Sequence, residues 1–462
     1  MMKTTHRLLA TGSTMALMLT AGSITDSAIA APGGNHGVSP PLEGIPSSGL
    51  DAEVVIYEYS GSFEEGWSSA RVVLGTYSTI QAAVDASLAI WPSHVELGDG
   101  VYRENVVVMT DGSYANGLSI QSAPGCSPVW RQATVFGPGP ILALSSADLD
   151  GGCLTVDIRG IQFSTAEPNP TDPLGSLVWP TDGAAIVAWA DSTKSPGFDI
   201  SILECEFINC RAGNASSGEP RDGGAIRVQG VEFDITNCRF DGCHATNAGS
   251  ISASSSLVDI SHCEFTNGVS SANGGVIQAV DCEILIYESR LSANTAAYHG
   301  GAILVEGSRF DLINCSLRNN SAFAGGGGAV YVREATAPPP DGFTPGSQIN
   351  DCRFVDNSGP TQAHIMLEGT LEVMMYSTHL CPQPSAPESW IMCESGCEST
   401  VETGCAADIA DINFDGASDA ADLLLVLSNW GSQSHWALPD VTDDGQVDVY
   451  DLLQVLSGMA SP

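Results

Sequence analysis

A solenoid of stacked parallel β-coils is the fold class this sequence predicts, and three observations predict it. Apolar positions recur at a fixed step, a second set of landmarks keeps that step, and the residues between them alternate as strands do. The pieces "DGGAIRV", "AGSISA", "NGGVIQAV", "HGGAILV" and "GGGAVYV" align Ile226, Ile251, Ile277, Ile303 and Val330, at steps of 25, 26, 26 and 27. The pieces "ITNCRF", "ISHCEF", "IYESRL" and "INCSL" align Cys238, Cys263, Ser289 and Cys315, at steps of 25, 26 and 26. Short apolar–acidic runs such as "FDI", "VDI" and "FDL" are punctuated by Gly, Asn and Ser, with no helical period between them. Strands that short bury an apolar face only by stacking turn on turn, so that like residues form columns.

The chain opens with a secretory pattern over residues 1–30. Lys3 and Arg7 supply the positive end, Leu8 to Leu19 the apolar run, and Ala28-Ile29-Ala30 a small-residue cleavage site. A secreted or cell-surface location follows, with no transmembrane segment after cleavage. Residues 31–50 read as a linker and 51–380 as the solenoid. Within it, "YSTIQAAVDASL" reads as a helix plugging the open end, with Ser78 and Gln81 as a capping box and Ile80, Val84 and Leu88 on one face. Fifty-four acidic residues against 16 Lys+Arg give a net charge of −38, which makes nucleic acid a poor partner.

Inside the solenoid, Cys238, Cys263 and Cys315 are expected to stack inward beside Phe240, Phe265 and Leu317. Rung-to-rung disulfides are a second option, since stacked strands lie near a disulfide's Cα separation. Outside, Glu206, Arg239, Glu264, Arg290, Ser316 and Arg353 form a column that fixes register. A second outward column runs Asp234, Asp259, a gap at Leu285, then Asp311, with Asp199 expected one turn earlier. Asp234, Asp259 and Asp311 are the weak catalytic candidates. Stacked carboxylates could also share a calcium ion. His299, in "YHGG", reads as a turn residue.

These "GGAI…NCxF" turns resemble those of right-handed parallel β-helix proteins of the polymorphic-membrane-protein type. The stretch "YSTIQAAVDASL" followed by "VELGDGVYRENVVV" resembles the opening segment of bacterial β-helix proteins, pectin-acting enzymes among them. The resemblance implies the fold, and activity only by analogy.

Residues 381–405 form a Cys-rich connector in which Cys381, Cys393, Cys397 and Cys405 are expected to pair. Residues 406–462 hold two copies of a 12-residue acidic loop running into an apolar helix, 29 residues apart. The first offers Asp411, Asn413, Asp415, the Ala417 carbonyl, Asp419 and Asp422; the second offers Asp440, Thr442, Asp444, the Gln446 carbonyl, Asp448 and Asp451. Ten Asp and no Lys or Arg occur from residue 403 onward, so folding there should depend on Ca2+. The duplicated loop-helix resembles a type I dockerin, and "NWG" after its first helix resembles the tails of planctomycete secreted proteins. That resemblance implies a cohesin-like partner. Thr442, where the family carries Asn or Asp, departs from the pattern.

The expected function is an exported scaffold for extracellular or cell-surface adhesion or assembly. The alternative is a dockerin-bearing polysaccharide-degrading enzyme, pectate-lyase-like or glycoside-hydrolase-like. The outer face separates them: a groove with acids, an arginine and aromatics favours the enzyme, and a flat salt-bridged face favours the scaffold.

Overall fold

The computed structural model describes residues 52–62, 66–90, 93–110, 117–131, 140–146, 154–165, 185–190, 198–212, 222–333, 347–360, 364–368, 373–376, 378–381 and 391–393, and in the C-terminal region 412, 418–431, 439, 441–442 and 446–459. The secretory pattern, the linker, and Cys397 and Cys405 lie outside them. Among the described residues, twelve strands form sheet A, ten each form sheets B and C, and four form sheet D. Each coil visits the sheets in turn: Ile226–Gln229 in C, Glu232–Thr236 in A, Arg239–Asp241 in B, His244–Ala245 in D, then Ile251–Ser254 in C again. The pairing between coils is parallel, and the predicted landmarks fall opposite one another: Ile226 with Ile251, Ile251 with Ile277, Ile277 with Ile303, Ile303 with Val330. All five are fully buried. A repeat of one coil's length thus puts one apolar residue per coil into a single interior row.

The corners are made by left-handed residues. Between sheets A and B stand Glu204, Asn237, His262, Glu288, Asn314 and Asp351, with φ from 44° to 56°. Asn, Asp and His adopt this conformation more readily than other side chains; Glu204 and Glu288 hold it at a cost of about 1–2 kcal/mol each. Before sheet C the corner uses a glycine pair. Gly274 has φ +63°, and a Cβ on Gly275 would lie 1.8 Å from the Gly301 carbonyl oxygen of the next coil. The recurring "GG" is therefore one residue for the turn and one for the close stacking of backbones.

Aromatic rings fill the core of sheet B. Phe163, Phe207, Phe240 and Phe265 stack with centroids 5.0, 4.6 and 4.6 Å apart, and Trp130 closes the row at 5.6 Å from Phe163. The column cysteines are buried free thiols rather than bridges. Their environment explains why they suit the place. The thiols of Cys205, Cys238, Cys263, Cys315 and Cys352 donate to main-chain carbonyls of the coil before, at 3.4 to 3.7 Å. Burial raises the thiols of Cys205, Cys210, Cys238 and Cys352 well above the ordinary range, so they stay protonated. At the next corner Cys210 and Cys243 give way to Asn294, Asn320 and Asn357. There the side-chain amides bond along the axis at 3.0 and 2.9 Å and donate to Phe265, Leu291 and Leu317 carbonyls.

The end helix, α1 (Ile80–Leu88), buries Ile80, Val84 and Leu88 as expected. Its cap differs from the expectation. Thr79, not Ser78, is the N-cap and accepts from Ala82 N, and the Glu104 carboxylate takes the Ile80 and Gln81 N–H groups at 2.7 and 2.9 Å. A carboxylate from the first coil, rather than a side chain of the helix itself, thus takes two of the free N–H groups at the start of α1. Ahead of α1, strands Ala52–Ser62 and Gly66–Tyr77 form an antiparallel hairpin that joins the edge of sheet A, outside the repeat pattern. At the other end sheet C continues with Ile391–Cys393, inside the stretch read as connector.

His364 precedes strand Ile365–Glu368, and its carbonyl accepts from Ala329 and Val330 N. Burial lowers its imidazole to about 4, against the opposing pull of Asp356. The folded protein keeps His364 neutral while an unfolded chain titrates at about 6.5. Stability from this group is thus present above about pH 6.5 and is lost as pH falls toward 4, to the extent of about 3 kcal/mol. From pH 6.5 to 4 the natural protein should lose about 3 kcal/mol relative to His364→Gln, read from their melting curves across that window; a pH-independent difference would contradict this.

Candidate functional site

The outer face of sheet A carries two side-by-side columns. One runs Ser119, Asp157, Ser201, Asp234, Asp259, Leu285, Asp311, Gln348. The other runs Thr155, Asp199, Glu232, Leu257, Glu283, Arg309. Asp234 and Asp259 are direct neighbours, as the spacing predicts. Asp311 is cut off from them by Leu285, and it is buried and bound to Arg309 at 2.9 Å, which also holds Glu283 at 2.8 Å. Asp199 does not stand in this column. Ser201 takes the place expected for it, because the coil-to-coil step there is 33 residues, between Ser201 and Asp234, instead of 25.

The densest chemistry lies toward the N-terminal end of this face. His94 Nδ1 meets Ser119 Oγ at 2.9 Å, and the His94 ring stands edge-on to Tyr57 at 5.7 Å. Glu96, fully buried, accepts from Tyr57 Oη at 2.5 Å, Arg71 Nε at 2.5 Å and Gln121 Nε2 at 2.9 Å. Arg71 also contacts Glu53. The hairpin thus lays a tyrosine and an arginine over the first coils. Burial lowers the His94 imidazole, against Glu96 and Asp157, so it tends to be neutral.

One coil further on, Asp157 faces Ser119 on one side and Ser201 on the other, with Asp199 on the diagonal. Surrounding protein raises its carboxyl, the Asp199 charge raises it further, and His94 opposes. Asp157 is nonetheless solvent-accessible. The result is a carboxyl whose titration is raised, next to a second carboxylate, an imidazole whose titration is lowered and two serines. Two carboxyl groups with different environments are the requirement for acid–base work on an acetal.

Asp157, His94, Ser119 and Arg71 are absent from the sequence-predicted residues, and Asp199, expected in the Asp234 column, stands in the neighbouring one. A signal existed: "VDI" at 156–158 has the same form as "VDI" at 258–260. Extra residues between the early coils hid the period. Among the described residues no group of three or more His, Cys, Asp or Glu is placed to hold a metal, so the acid columns form no calcium cage there.

Sheet B presents the other kind of face. Glu206, Arg239, Glu264, Arg290, Ser316 and Arg353 stand in one register, as predicted. Arg239 and Glu264 approach to 3.3 Å as an ion pair without hydrogen-bond geometry. Arg290, Ser316 and Arg353 are buried rather than open to solvent, so the exposed ladder is shorter than expected. His299 does occupy a turn: its Nδ1 accepts from Gly326 N at 3.2 Å and its ring lies 4.3 Å from Tyr331.

In the C-terminal region, α2 (Ala420–Ser428) and α3 (Val449–Met459) pack around Ile412, Val426, Val441, Val447 and Val455. Asp422 and Asp451 are fully buried and mirror each other. Asp422 accepts from Ile412 N at 2.6 Å and Asp419 N at 2.8 Å; Asp451 accepts from Thr442 N at 2.9 Å and Asp448 N at 2.8 Å. Each carboxylate ties the start of its loop to the helix through its oxygens, and Asp451 also accepts from Thr442 Oγ1 at 3.0 Å. That all-oxygen donor set fits a hard divalent ion. Asp411, Asn413, Asp415, Ala417, Asp440 and Asp444 lie outside the described residues.

Residues 223–373 match the family model for the right handed beta helix region. The parallel sheets run through that region and are consistent with a right-handed β-helix there. No curated protein matches it. Among solved structures, the chain is similar to the catalytic domain of a GH87 alpha-1,3-glucanase in complex with nigerose, at 9% identity and TM-score 0.34, covering 78% of this chain and 87% of that one. It is also similar to a mannuronic acid specific polysaccharide family 6 lyase from human gut microbiota, at 12% identity and TM-score 0.23, covering 67% and 86%.

Proposed function

We propose that this protein is an exported β-helix enzyme that hydrolyses a polysaccharide on the outer face of sheet A. The observation that supports it is Asp157, a solvent-reached carboxyl raised by its surroundings and by Asp199 on the next coil. Asp157 serves as general acid: it gives its proton to the glycosidic oxygen as the bond to the anomeric carbon breaks. Asp199 takes a proton from the water whose oxygen forms the new bond to that carbon. His94 and Ser119 hydrogen-bond sugar hydroxyls beside them. The test is release of reducing ends from a panel of polysaccharides by the purified full chain. Release from none of them would overturn the reading.

The second reading, a scaffold for adhesion or assembly, is favoured by the Arg239–Glu264 ladder of sheet B. It predicts cell-surface retention with no cleavage of any polymer.

The C-terminal module holds Ca2+ through the two acidic loops and attaches the enzyme to a cohesin-like partner. A chelator should melt α2 and α3 while leaving the β-helix transition in place. A single metal-insensitive transition in calorimetry would contradict this.

A further inference from the structure

At the corner before sheet C, a column of turn side chains ties each coil to the next. Asn273 N donates to Asn247 Oδ1 at 3.4 Å, and His299 N donates to Asn273 Oδ1 at 3.3 Å. Gly326 N then donates to His299 Nδ1 at 3.2 Å. The first two acceptors are amide oxygens, which do not titrate. The third is an imidazole nitrogen, which accepts only while it carries no proton. The next coils hold that ring in place. It lies 4.3 Å from the ring of Tyr331, whose hydroxyl contacts Glu368. The turn that His299 holds is also a cover. Gly326 packs on Met366, because a Cβ on it would overlap Met366 Sδ. Met366 forms a buried apolar cluster with Leu304 and Tyr331, one residue from each of three coils on the outer face of sheet C. Phe323, at the start of the same turn, is 70% exposed.

We infer that this turn is an acid-released joint of the solenoid: a proton on His299 Nδ1 removes the acceptor of Gly326 N and frees residues 324–327 from the cluster beneath them. Burial lowers the His299 imidazole, Glu368 opposes that, and Arg333 adds to it. Those two charges stand on strands Ile365–Glu368 and Val330–Arg333, and Arg333 is itself paired with Glu306 at 2.5 Å. An unfolded chain titrates at about 6.5. The contact is therefore complete above that pH and is lost as pH falls through the lower folded value. The joint one coil earlier, held by the Asn273 amide, has no such titration.

Amide hydrogen exchange in the full chain, resolved at single residues and corrected for intrinsic rate, should be compared at about pH 7.5 and about pH 4.5. Protection of the Gly326 N–H should fall about fivefold at the lower pH, while that of the His299 N–H, held by Asn273, stays constant. His299→Asn puts an amide where the imidazole was, as in the two coils before, and should make Gly326 protection equal at both pH values. In His299→Phe, which keeps a ring on Tyr331 without an acceptor, Gly326 should exchange fast at both. Constant protection of Gly326 in the natural protein would overturn the inference. So would a fall that persists in His299→Asn, or one shared by Ala329 and Val330, whose N–H groups bond the His364 carbonyl and report opening of the whole coil.

Discussion

An Asp157→Asn variant should lose about 10²–10⁴-fold in the rate of polysaccharide cleavage with its melting temperature unchanged. The amide keeps the volume and cannot deliver a proton. Because the natural carboxyl is raised, activity should fall as pH rises through a titration that lies above that of an ordinary aspartate. Asp199→Asn should be similarly slow, for want of the group that takes the proton of water. Asp311→Asn is the informative contrast. Asp311 is buried, bound to Arg309 and separated from the site by Leu285, so its loss should alter stability and not turnover. Equal losses in Asp157→Asn and Asp311→Asn would mean that the whole acidic face, not one acid, matters.

The second large effect concerns the fold. Gly275→Val should destabilise the β-helix by more than about 4 kcal/mol. A Cβ at this position would stand 1.8 Å from Gly301 O and 3.0 Å from Thr295 N, both main-chain atoms of the following coil. Neither can swing aside as a side chain would. Relief requires the coils to part, which breaks the hydrogen bonds from Gly275 N to Gly300 O and from Gly249 N to Gly275 O, at 2.9 and 3.1 Å. Because each coil touches only its neighbours, the break should split unfolding into two transitions. Denaturant titration followed by circular dichroism checks this, with Ser252→Val, on an outward position of sheet C, as the control. An unchanged midpoint would show that the coils can separate at little cost.

The stacking of Ile226 to Val330 and of Arg239 to Ser316 was legible in the sequence because those coils are nearly equal in length. Equal length turns sequence spacing into spatial register. The face that carries Asp157 was not legible, since its coils differ by many residues and the period disappears there. Asp199 was misplaced for the same reason, by two positions along its strand. Glu96 and Arg71 were invisible for another: they meet through an antiparallel hairpin at the mouth of the solenoid, which has no repeat to betray it. Cysteine roles needed the structure as well. Spacing placed Cys238 and Cys263 in one column, but only the carbonyls beside their sulfurs explain thiols that donate rather than bridge.

The most direct measurement is a crystal structure of the Asp157→Asn variant soaked with an oligosaccharide of the cleaved polymer. The account predicts sugar density over position 157, Asp199 and Ser201, with a glycosidic oxygen within hydrogen-bond reach of the substituted side chain. Sugar bound on sheet B, or at the far end beside Asp311 with the Asp157 face bare, would contradict it.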